Sequence, residues 1–260
     1  MTSVSTRGKQ LLHRVHAAAG RMGTTQGLSR RLRDARGYWT HESGERWLSD
    51  SHWRGGLDDE LWQQVGNDHL ELFETFAKAL DRQGNLGVAI EWGCGGGANA
   101  VAFAPAAEKF IAADVSADSV AECIRQVNAV CDTPAEPLVI DIEAPEQAAK
   151  DLEASCDTFL CMYVLELTAG PEEALRIIRI AERLLVSGGM AFVQVKYHNT
   201  DPHTRGHTRN YRRNLANMTT FGIDEFWLQS QQCGLTPRLI SLVPRNRLDS
   251  RYAYYALTKP

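Results

Sequence analysis

The chain has 260 residues, 43% of them hydrophobic, and its 28 Lys and Arg against 32 Asp and Glu give a net charge of −4. A chain of this length can bury the core of one α/β domain. No apolar run approaches the roughly twenty residues that a membrane helix requires, and the overall charge is not that of a basic nucleic-acid-binding domain. The composition therefore predicts one enzyme-sized domain with extensions and makes nucleic acid a disfavoured partner.

The charge is unevenly distributed along the chain. Residues 1–36 carry a net charge of +7, which leaves −11 for the remainder. A basic arm of this kind is typical of a solvated tail, and it also suits contact with nucleic acid, anionic lipid or a charged polymer. It lacks the apolar segment and cleavage site of a secretion signal, and the six cysteines show no paired zinc spacing. These features predict a cytoplasmic protein with reduced thiols.

An aromatic segment follows the arm, with three Trp in the fifteen positions from Trp39 to Trp53 and with His41 between them. Such rings either pack the arm onto the body or cover a bound ligand. We expect Trp39 to contact a substrate and Arg54 to meet a ligand carboxylate. Residues 1–57 are therefore interpreted as a basic arm and aromatic cover, and residues 58–260 as the catalytic domain.

From residue 58 onward, predicted helices and strands alternate. Asp58 or Asp59 caps a first helix, whose apolar residues recur at three- and four-residue steps as far as Leu80. The further helices are expected at 98–108, 117–130, 145–153, 171–186 and 223–233, and the strands at 87–92, 109–114, 137–142, 157–163, 190–196, 237–243 and 252–258. This alternation predicts an α/β fold with a doubly wound, mostly parallel seven-stranded sheet that binds ligands at the carboxyl ends of its strands.

A glycine-rich turn joins the first predicted strand to a helix. Gly93, Gly95 and Gly97 permit a sharp turn and a close approach of the backbone to a ligand. Glu91 precedes them, a position poorly suited to a pyrophosphate but suited to a ligand with an ammonium group, such as S-adenosylmethionine. Asp114 ends the next strand, at about the twenty-residue offset of an acid that binds ribose hydroxyls.

These ordered motifs resemble the class I S-adenosylmethionine-dependent methyltransferase family over residues 58–260. Glu91-x-Gly93-x-Gly95-x-Gly97 matches the first motif of the family, and residues 138–142, 156–167 and 184–195 resemble its third, fourth and fifth strand regions. The resemblance implies S-adenosylmethionine as the cofactor, and methyl transfer as the activity.

The resemblance also implies positions for the parts of the cofactor. Asp114 is expected at the ribose hydroxyls and Asp141 at the adenine amine. Arg54 is expected at the methionyl carboxylate. The remaining residues expected to line the cofactor site are Val115, Ile142 and Tyr163.

A long polar segment, residues 198–220, follows the fifth strand and is predicted to form a substrate lid. It has few apolar residues that would anchor it, so we expect it to be mobile until ligands bind. Tyr197, His203 and Arg205 are expected to contact the substrate.

Methyl transfer to a hydroxyl requires a base or a metal ion. His198 is our first candidate for the base because it follows the fifth strand and titrates near neutrality. Glu166 is the second candidate, although Leu167 stands where the family often has His. His203 and His207 would need a helix to share a metal ion, which the neighbouring proline and glycine disfavour. We therefore predict no structural zinc site and leave a catalytic Mg²⁺ open.

The acceptor is the least determined part of the function. Aromatic, histidine and arginine residues near the expected pocket favour O-methylation of a carbohydrate-type small molecule or an oligosaccharide. One alternative is a phenolic or quinone-like metabolite. Others are RNA docked by the basic arm, and a cofactor-binding protein without transferase activity.

Overall fold

The computed structural model describes residues 25–40, 44–82, 86–243 and 251–260. Most of the predicted basic arm, residues 1–24, and His41 of the aromatic segment lie outside these ranges. Among the described residues, no helix is long and apolar enough to cross a membrane.

Two short helices, α1 (Leu28–Trp39) and α2 (Arg46–Asp50), precede the long helix α3 (Asp59–Ala79). Asp58 caps α3, because its carboxylate accepts a hydrogen bond of 2.8 Å from the amide of Leu61. The buried residues of α3 recur at three- and four-residue steps and form the face that packs on the sheet. The helix predicted from residue 58 is thus confirmed.

The sheet contains seven strands, which are β1 (Val88–Trp92), β2 (Lys109–Asp114), β3 (Ala135–Val139), β4 (Cys156–Cys161), β5 (Leu185–Lys196), β6 (Thr236–Leu242) and β7 (Tyr252–Thr258). The remaining helices are α4 (Ala100–Phe103), α5 (Ala117–Asn128), α6 (Pro171–Leu184), α7 (Tyr211–Asn214) and α8 (Ile223–Gln232).

The strand order is β3-β2-β1-β4-β5-β7-β6. The first five strands are parallel, and β7 lies antiparallel between β5 and β6. This arrangement confirms the predicted doubly wound, mostly parallel sheet. Because the chain winds outward in both directions from β1 and β4, their carboxyl ends open a crevice of the kind in which such sheets bind ligands.

Two predicted helices are wrong in type or extent. Residues 145–153 form two short 3₁₀ turns, Pro145–Gln147 and Lys150–Leu152, since they supply too little apolar surface for an amphipathic helix. The helix expected at 98–108 has one α-helical turn, and a 3₁₀ turn containing Pro105 follows it. Strand β3 also begins and ends earlier than predicted, at 135–139.

The core lies on both faces of the sheet. On one face Phe192 of β5 meets Phe73 of α3 and Tyr254 of β7, with ring centroids 5.6 Å apart in each pair. These aromatic contacts hold α3 against the sheet beside the carboxyl end of β1. The position of α3 matters for function because its first half borders the crevice.

Gly66 tests how closely α3 packs. A Cβ at this position would lie 2.2 Å from the carbonyl oxygen of Ala98. Alanine normally stabilises a helix interior relative to glycine by about 1 kcal/mol, but here we expect the clash to exceed that gain. Gly66→Ala should therefore lower the urea midpoint. Gly55→Ala, where no atom lies within 4 Å of the added Cβ, is the control. A raised midpoint for Gly66→Ala would contradict this packing.

Candidate cofactor and acceptor site

A pocket opens at the carboxyl ends of β1, β2 and β4. Its floor comes from the glycine-rich turn after β1 and from the residues that follow β2, β3 and β4. Its cover comes from α1, from residues 50–52 and from Tyr211 of α7. The sheet therefore supplies one side of the pocket, and two segments outside the sheet supply the other.

Asp114 connects β2 to the glycine-rich turn at the floor of the pocket. One carboxylate oxygen accepts a hydrogen bond of 3.0 Å from the amide of Gly95, and the other accepts one of 2.9 Å from the amide of Ser116. Asp114 and its neighbour Val115 both line the pocket, where the sequence placed them. Their contact with the cofactor remains a prediction.

The glycines of the turn serve the packing of the protein as well as the pocket. Gly93 and Gly95 have φ values of +82° and +50°, and each lacks room for a side chain. A Cβ on Gly95 would lie 2.2 Å from the carbonyl oxygen of Ser51. Gly97 does not line the pocket, which corrects the prediction, since it packs on Cys123 of α5.

Glu91 also lies behind the pocket lining, contrary to the predicted direct contact with an ammonium group. Its carboxyl group is fully buried and accepts a hydrogen bond of 2.9 Å from the side chain of Asn99, which does line the pocket. Burial raises the pKa of Glu91 to about 8, opposed by the Asn99 hydrogen bond and assisted by the charge of Asp114. Glu91 is therefore predominantly protonated at neutral pH.

The segment after β3 contributes apolar side chains. Ile140 and Ile142 line the pocket, whereas Asp141 between them is exposed and accepts a hydrogen bond from the amide of Glu143. Alternation of an extended chain explains the difference, because neighbouring side chains point to opposite sides. The prediction for Ile142 agrees with its position. That for Asp141 requires correction, and Ile140 was missed.

Tyr163, after β4, lines the pocket as predicted. Its backbone has a φ of +56°, and its amide donates a hydrogen bond of 2.6 Å to the side chain of Gln194. Its ring lies edge-on to that of His52, with 4.8 Å between the centroids. This contact joins the sheet side of the pocket to the cover.

Neither candidate base lies in the lining. The Nδ1 atom of His198 is 3.3 Å from the hydroxyl of Thr220, and its Nε2 atom is 3.9 Å from a carboxylate oxygen of Glu225. Glu166 is buried and accepts a hydrogen bond of 2.6 Å from the hydroxyl of Tyr252. Neither side chain reaches the pocket as described, and a role for either as the base remains a prediction. After β5 the chain pairs with Phe221 and leads His198 towards α8, away from the pocket.

The predicted polar contacts to ligands are also placed elsewhere. Tyr197 packs against the core, and His203 and Arg205 are exposed outside the pocket lining. Arg54 forms a 2.7 Å ion pair with Asp59 and lies over the ring of Trp62, with 5.4 Å from its guanidinium carbon to the centroid. These four side chains have no contact with the pocket as described.

The segment at 198–220 has more apolar anchors than predicted. Its residues Tyr211, Leu215 and Met218 are buried in one cluster with Ala35 and Trp47 of the N-terminal helices. Their four- and three-residue steps match a helical period, a signal that the polar residues around them obscured. Closure of the segment on a ligand remains a prediction.

Trp39 joins α1 to that segment and lines the pocket, as the sequence predicted. Its indole N–H donates a hydrogen bond of 3.0 Å to the hydroxyl of Tyr211, which donates one of 2.6 Å to the carbonyl of Leu167. Trp47 packs the cluster, as one interpretation of the aromatic segment predicted, and the contact of Trp39 with a substrate remains a prediction. The spacing of Leu32, Ala35 and Trp39 was the signal by which α1 could have been assigned to the lining.

The pocket fits the adenosyl and methionyl parts of S-adenosylmethionine. Asp114 offers carboxylate oxygens for ribose hydroxyls, and Val115, Ile140 and Ile142 offer an apolar surface for the base. Gly93 and Gly95 of the glycine-rich turn also line the pocket. Within the described ranges, no group of three or more His, Cys, Asp or Glu residues is placed to hold a metal ion.

Asp114→Ala should weaken S-adenosylmethionine binding by roughly 1.5–3 kcal/mol, or about ten- to a hundredfold, through loss of charge-assisted hydrogen bonds. Asp141→Ala is the matched control, because that exposed carboxylate lies outside the lining. Titration calorimetry measures both affinities. Equal losses in the two variants would restore Asp141 to the site, and an unchanged affinity for Asp114→Ala would remove Asp114 from it.

Glu91→Gln tests the protonation of Glu91. The Glu91 carboxyl group loses its proton at a pH near 4 in the unfolded chain, but only near pH 8 in the folded chain. As the pH rises between those values, Glu91 should therefore progressively lower the free energy of unfolding. Glutamine retains the acceptor for Asn99, and we expect the variant to lose this pH dependence. Urea unfolding from pH 5 to pH 9 measures it. Parallel stability profiles for the variant and the wild type would show that Glu91 is already charged at neutral pH.

Comparisons with known proteins agree with the geometry of the pocket. Residues 90–193 match a family described as a methyltransferase domain. No curated protein matches the chain.

Among solved structures, N-methyltransferase NodS from Bradyrhizobium japonicum superposes with a TM-score of 0.58 at 16% identity, covering 90% of this chain and 96% of that one. Magnesium protoporphyrin IX methyltransferase from Synechocystis PCC 6803 superposes with a TM-score of 0.56 at 14% identity, covering 97% and 100%. Both were crystallised with S-adenosylhomocysteine.

These likenesses concern the fold, and the family match extends over the glycine-rich turn, Asp114 and the strands that form the crevice. Residues 90–193 therefore form a methyltransferase domain, within a fold of the class I S-adenosylmethionine-dependent type, and S-adenosylmethionine is its cofactor.

Proposed function

We propose that the enzyme transfers the methyl group to a hydroxyl of a small planar aromatic molecule of the phenol type. The observation that carries this proposal is the apolar part of the lining, which lies beside the polar residues 50–52 of the cover. Leu32, Ala35 and Trp39 of α1 face the pocket together with Leu167 and Tyr211. Such a surface accommodates an apolar ring and offers few hydrogen-bonding groups to a ligand.

A carbohydrate acceptor is less well supported than the sequence suggested. Sugars require several hydrogen-bonding partners, yet His203 and Arg205, which suggested such an acceptor, are exposed outside the lining. The polar atoms of Trp39 and Tyr211 are already bonded to each other and to the carbonyl of Leu167. The phenolic alternative therefore becomes the proposed function, and the carbohydrate becomes a competing outcome of the test.

The chemistry of methyl transfer places simple demands on the protein. Bound S-adenosylmethionine supplies an electrophilic methyl group, and the hydroxyl oxygen must approach it in line with the bond that breaks. The aromatic cover orients the acceptor ring and keeps water from the reaction. The hydroxyl proton must leave as the new bond forms, so a base within the pocket is required.

An acceptor panel tests the proposal. Catechol, hydroquinone and 4-nitrophenol are compared with methyl glucoside and a short RNA, and S-adenosylhomocysteine release is measured. We expect turnover with the phenols. Methylation of the glucoside or the RNA alone would overturn the proposed acceptor class.

Trp39→Ala should raise the KM for a phenolic acceptor by about tenfold, equivalent to about 1.4 kcal/mol, because the ring loses an aromatic contact. Affinity for S-adenosylhomocysteine should change less. Arg205→Ala is the control, since this exposed side chain should leave both quantities unaffected. An unchanged acceptor KM in Trp39→Ala would place the acceptor away from α1.

A further inference from the structure

We propose that His52 is the general base that removes the proton from the acceptor hydroxyl. The proposal rests on the proposed function insofar as it requires a hydroxyl acceptor. Sequence analysis did not single out His52 as a catalytic residue, and it lies before the methyltransferase motifs. Its assignment depends on its position, its backbone, and the hydrogen bonds of its neighbours.

The position of His52 is fixed from two sides. The carbonyl of the preceding residue, Ser51, accepts a hydrogen bond of 2.8 Å from the amide of Gly96 in the glycine-rich turn. The carbonyl of His52 accepts one of 2.6 Å from the indole of Trp62 in α3. The imidazole lines the pocket beside the ring of Tyr163. His52 thus lies over the crevice between β1 and β4.

The backbone of His52 is in an unfavourable conformation. Its φ of +55° lies in the left-handed region, which residues with a Cβ rarely adopt. The bonds of Ser51 to the glycine-rich turn and of His52 to Trp62 hold the chain in this state. Strain of this kind is concentrated at functional sites, where it directs a side chain towards a ligand.

The other proton acceptors of the lining are engaged with protein groups. The carboxylate of Asp50 accepts a hydrogen bond from the hydroxyl of Tyr38, and that of Glu173 accepts one of 2.7 Å from Arg176. Asp114 accepts from two backbone amides. Within the described part of the chain, the ring nitrogens of His52 make no hydrogen bond. Its imidazole is therefore available to a ligand.

The charge state of His52 suits a base. Burial lowers its pKa to about 4, and the neighbouring His69 lowers it further. At neutral pH the ring is uncharged, with one N–H and one nitrogen lone pair. So weak a base accepts the proton only while the bond from oxygen to the methyl carbon is forming, because the hydroxyl proton then becomes strongly acidic. The imidazolium afterwards returns its proton to water.

The proposed step transfers the methyl group to the acceptor oxygen and one proton to His52. The acceptor oxygen forms a bond to the methyl carbon while the bond from carbon to sulfur breaks, and its electron pair remains on sulfur as a neutral thioether. The electron pair of the O–H bond remains on oxygen, and the proton moves to the lone pair of His52. The positive charge thereby passes from the sulfonium to the imidazolium, and release of the proton to solvent restores the base.

A kinetic experiment distinguishes a base from a structural residue. His52→Asn is the chosen variant, because asparagine tolerates positive φ. Its kcat should fall about 10²-fold or more with catechol at pH 8.5, whereas affinity for S-adenosylhomocysteine should remain within about threefold. With 4-nitrophenol, which is ionised at that pH, the loss should almost disappear. Equal losses for both acceptors, or no loss for catechol, would overturn the proposal.

His198→Ala tests the other candidate imidazole, which lies outside the pocket lining. A loss of turnover with catechol in His198→Ala as large as that in His52→Asn would overturn the assignment of the base to His52. If the panel shows that only methyl glucoside accepts the methyl group, the proposed acceptor class is wrong. His52→Asn is then compared with the wild type on methyl glucoside, and full turnover in the variant would refute the role of His52 as the base.

A second experiment requires no acceptor. Diethyl pyrocarbonate modifies accessible, uncharged imidazoles, and peptide mass spectrometry assigns the modified histidine. His52 should react in the cofactor-free protein and be protected by S-adenosylhomocysteine. His69 is the internal control, since its nitrogens lie 2.7 Å from Asn99 Oδ1 and 2.6 Å from the Tyr254 hydroxyl. An unreactive His52 would overturn the proposal whatever the acceptor.

Discussion

The packing of residues 51–53 on the glycine-rich turn is the constraint on which the pocket depends. The amide of Gly96 donates to the carbonyl of Ser51, and a Cβ on Gly95 or Gly96 would meet Ser51 or Trp53 at 2.2 and 2.5 Å. Glycine is therefore required here to admit the N-terminal segment as well as a ligand. Through this contact the segment that precedes α3 becomes one wall of the pocket.

A buried chain of hydrogen bonds fixes the opposite wall. The side chain of Asn99 donates a hydrogen bond to protonated Glu91 and accepts one from a ring nitrogen of His69. His69 is neutral, so its other ring nitrogen accepts a hydrogen bond from the hydroxyl of Tyr254. The hydroxyl of Tyr254 accepts a hydrogen bond from the side-chain nitrogen of Gln194, whose side-chain oxygen accepts one from the amide of Tyr163. Burial makes a reversal of these hydrogen bonds costly. The chain thereby links α3, β1, β5 and β7 to the left-handed backbone of Tyr163.

The sequence predicted the sheet and part of the pocket because these depend on local patterns. Apolar strands separated by amphipathic helices indicate a doubly wound, mostly parallel sheet, and Asp114 ends its strand without irregularity. Asp141 was misplaced because β3 ends early and the alternation beyond it directs Ile140 and Ile142 inward instead. His198 was misplaced because its position depends on pairing with Phe221, over twenty residues away. The importance of His52 depends on a contact between distant segments that no local pattern reveals.

The two walls divide the work of the enzyme. Strand ends and the glycine-rich turn form the side that fits the cofactor, and their geometry is fixed by the sheet. The cover formed by α1, residues 50–52 and Tyr211 is attached to that side by a few hydrogen bonds and one apolar cluster. On the proposed mechanism this cover provides both the surface for the acceptor and the base. Substitutions in the cover can then change the acceptor without disturbing the sheet, provided that Ser51 keeps its contact with Gly96, because that contact sets the position of His52 relative to the cofactor.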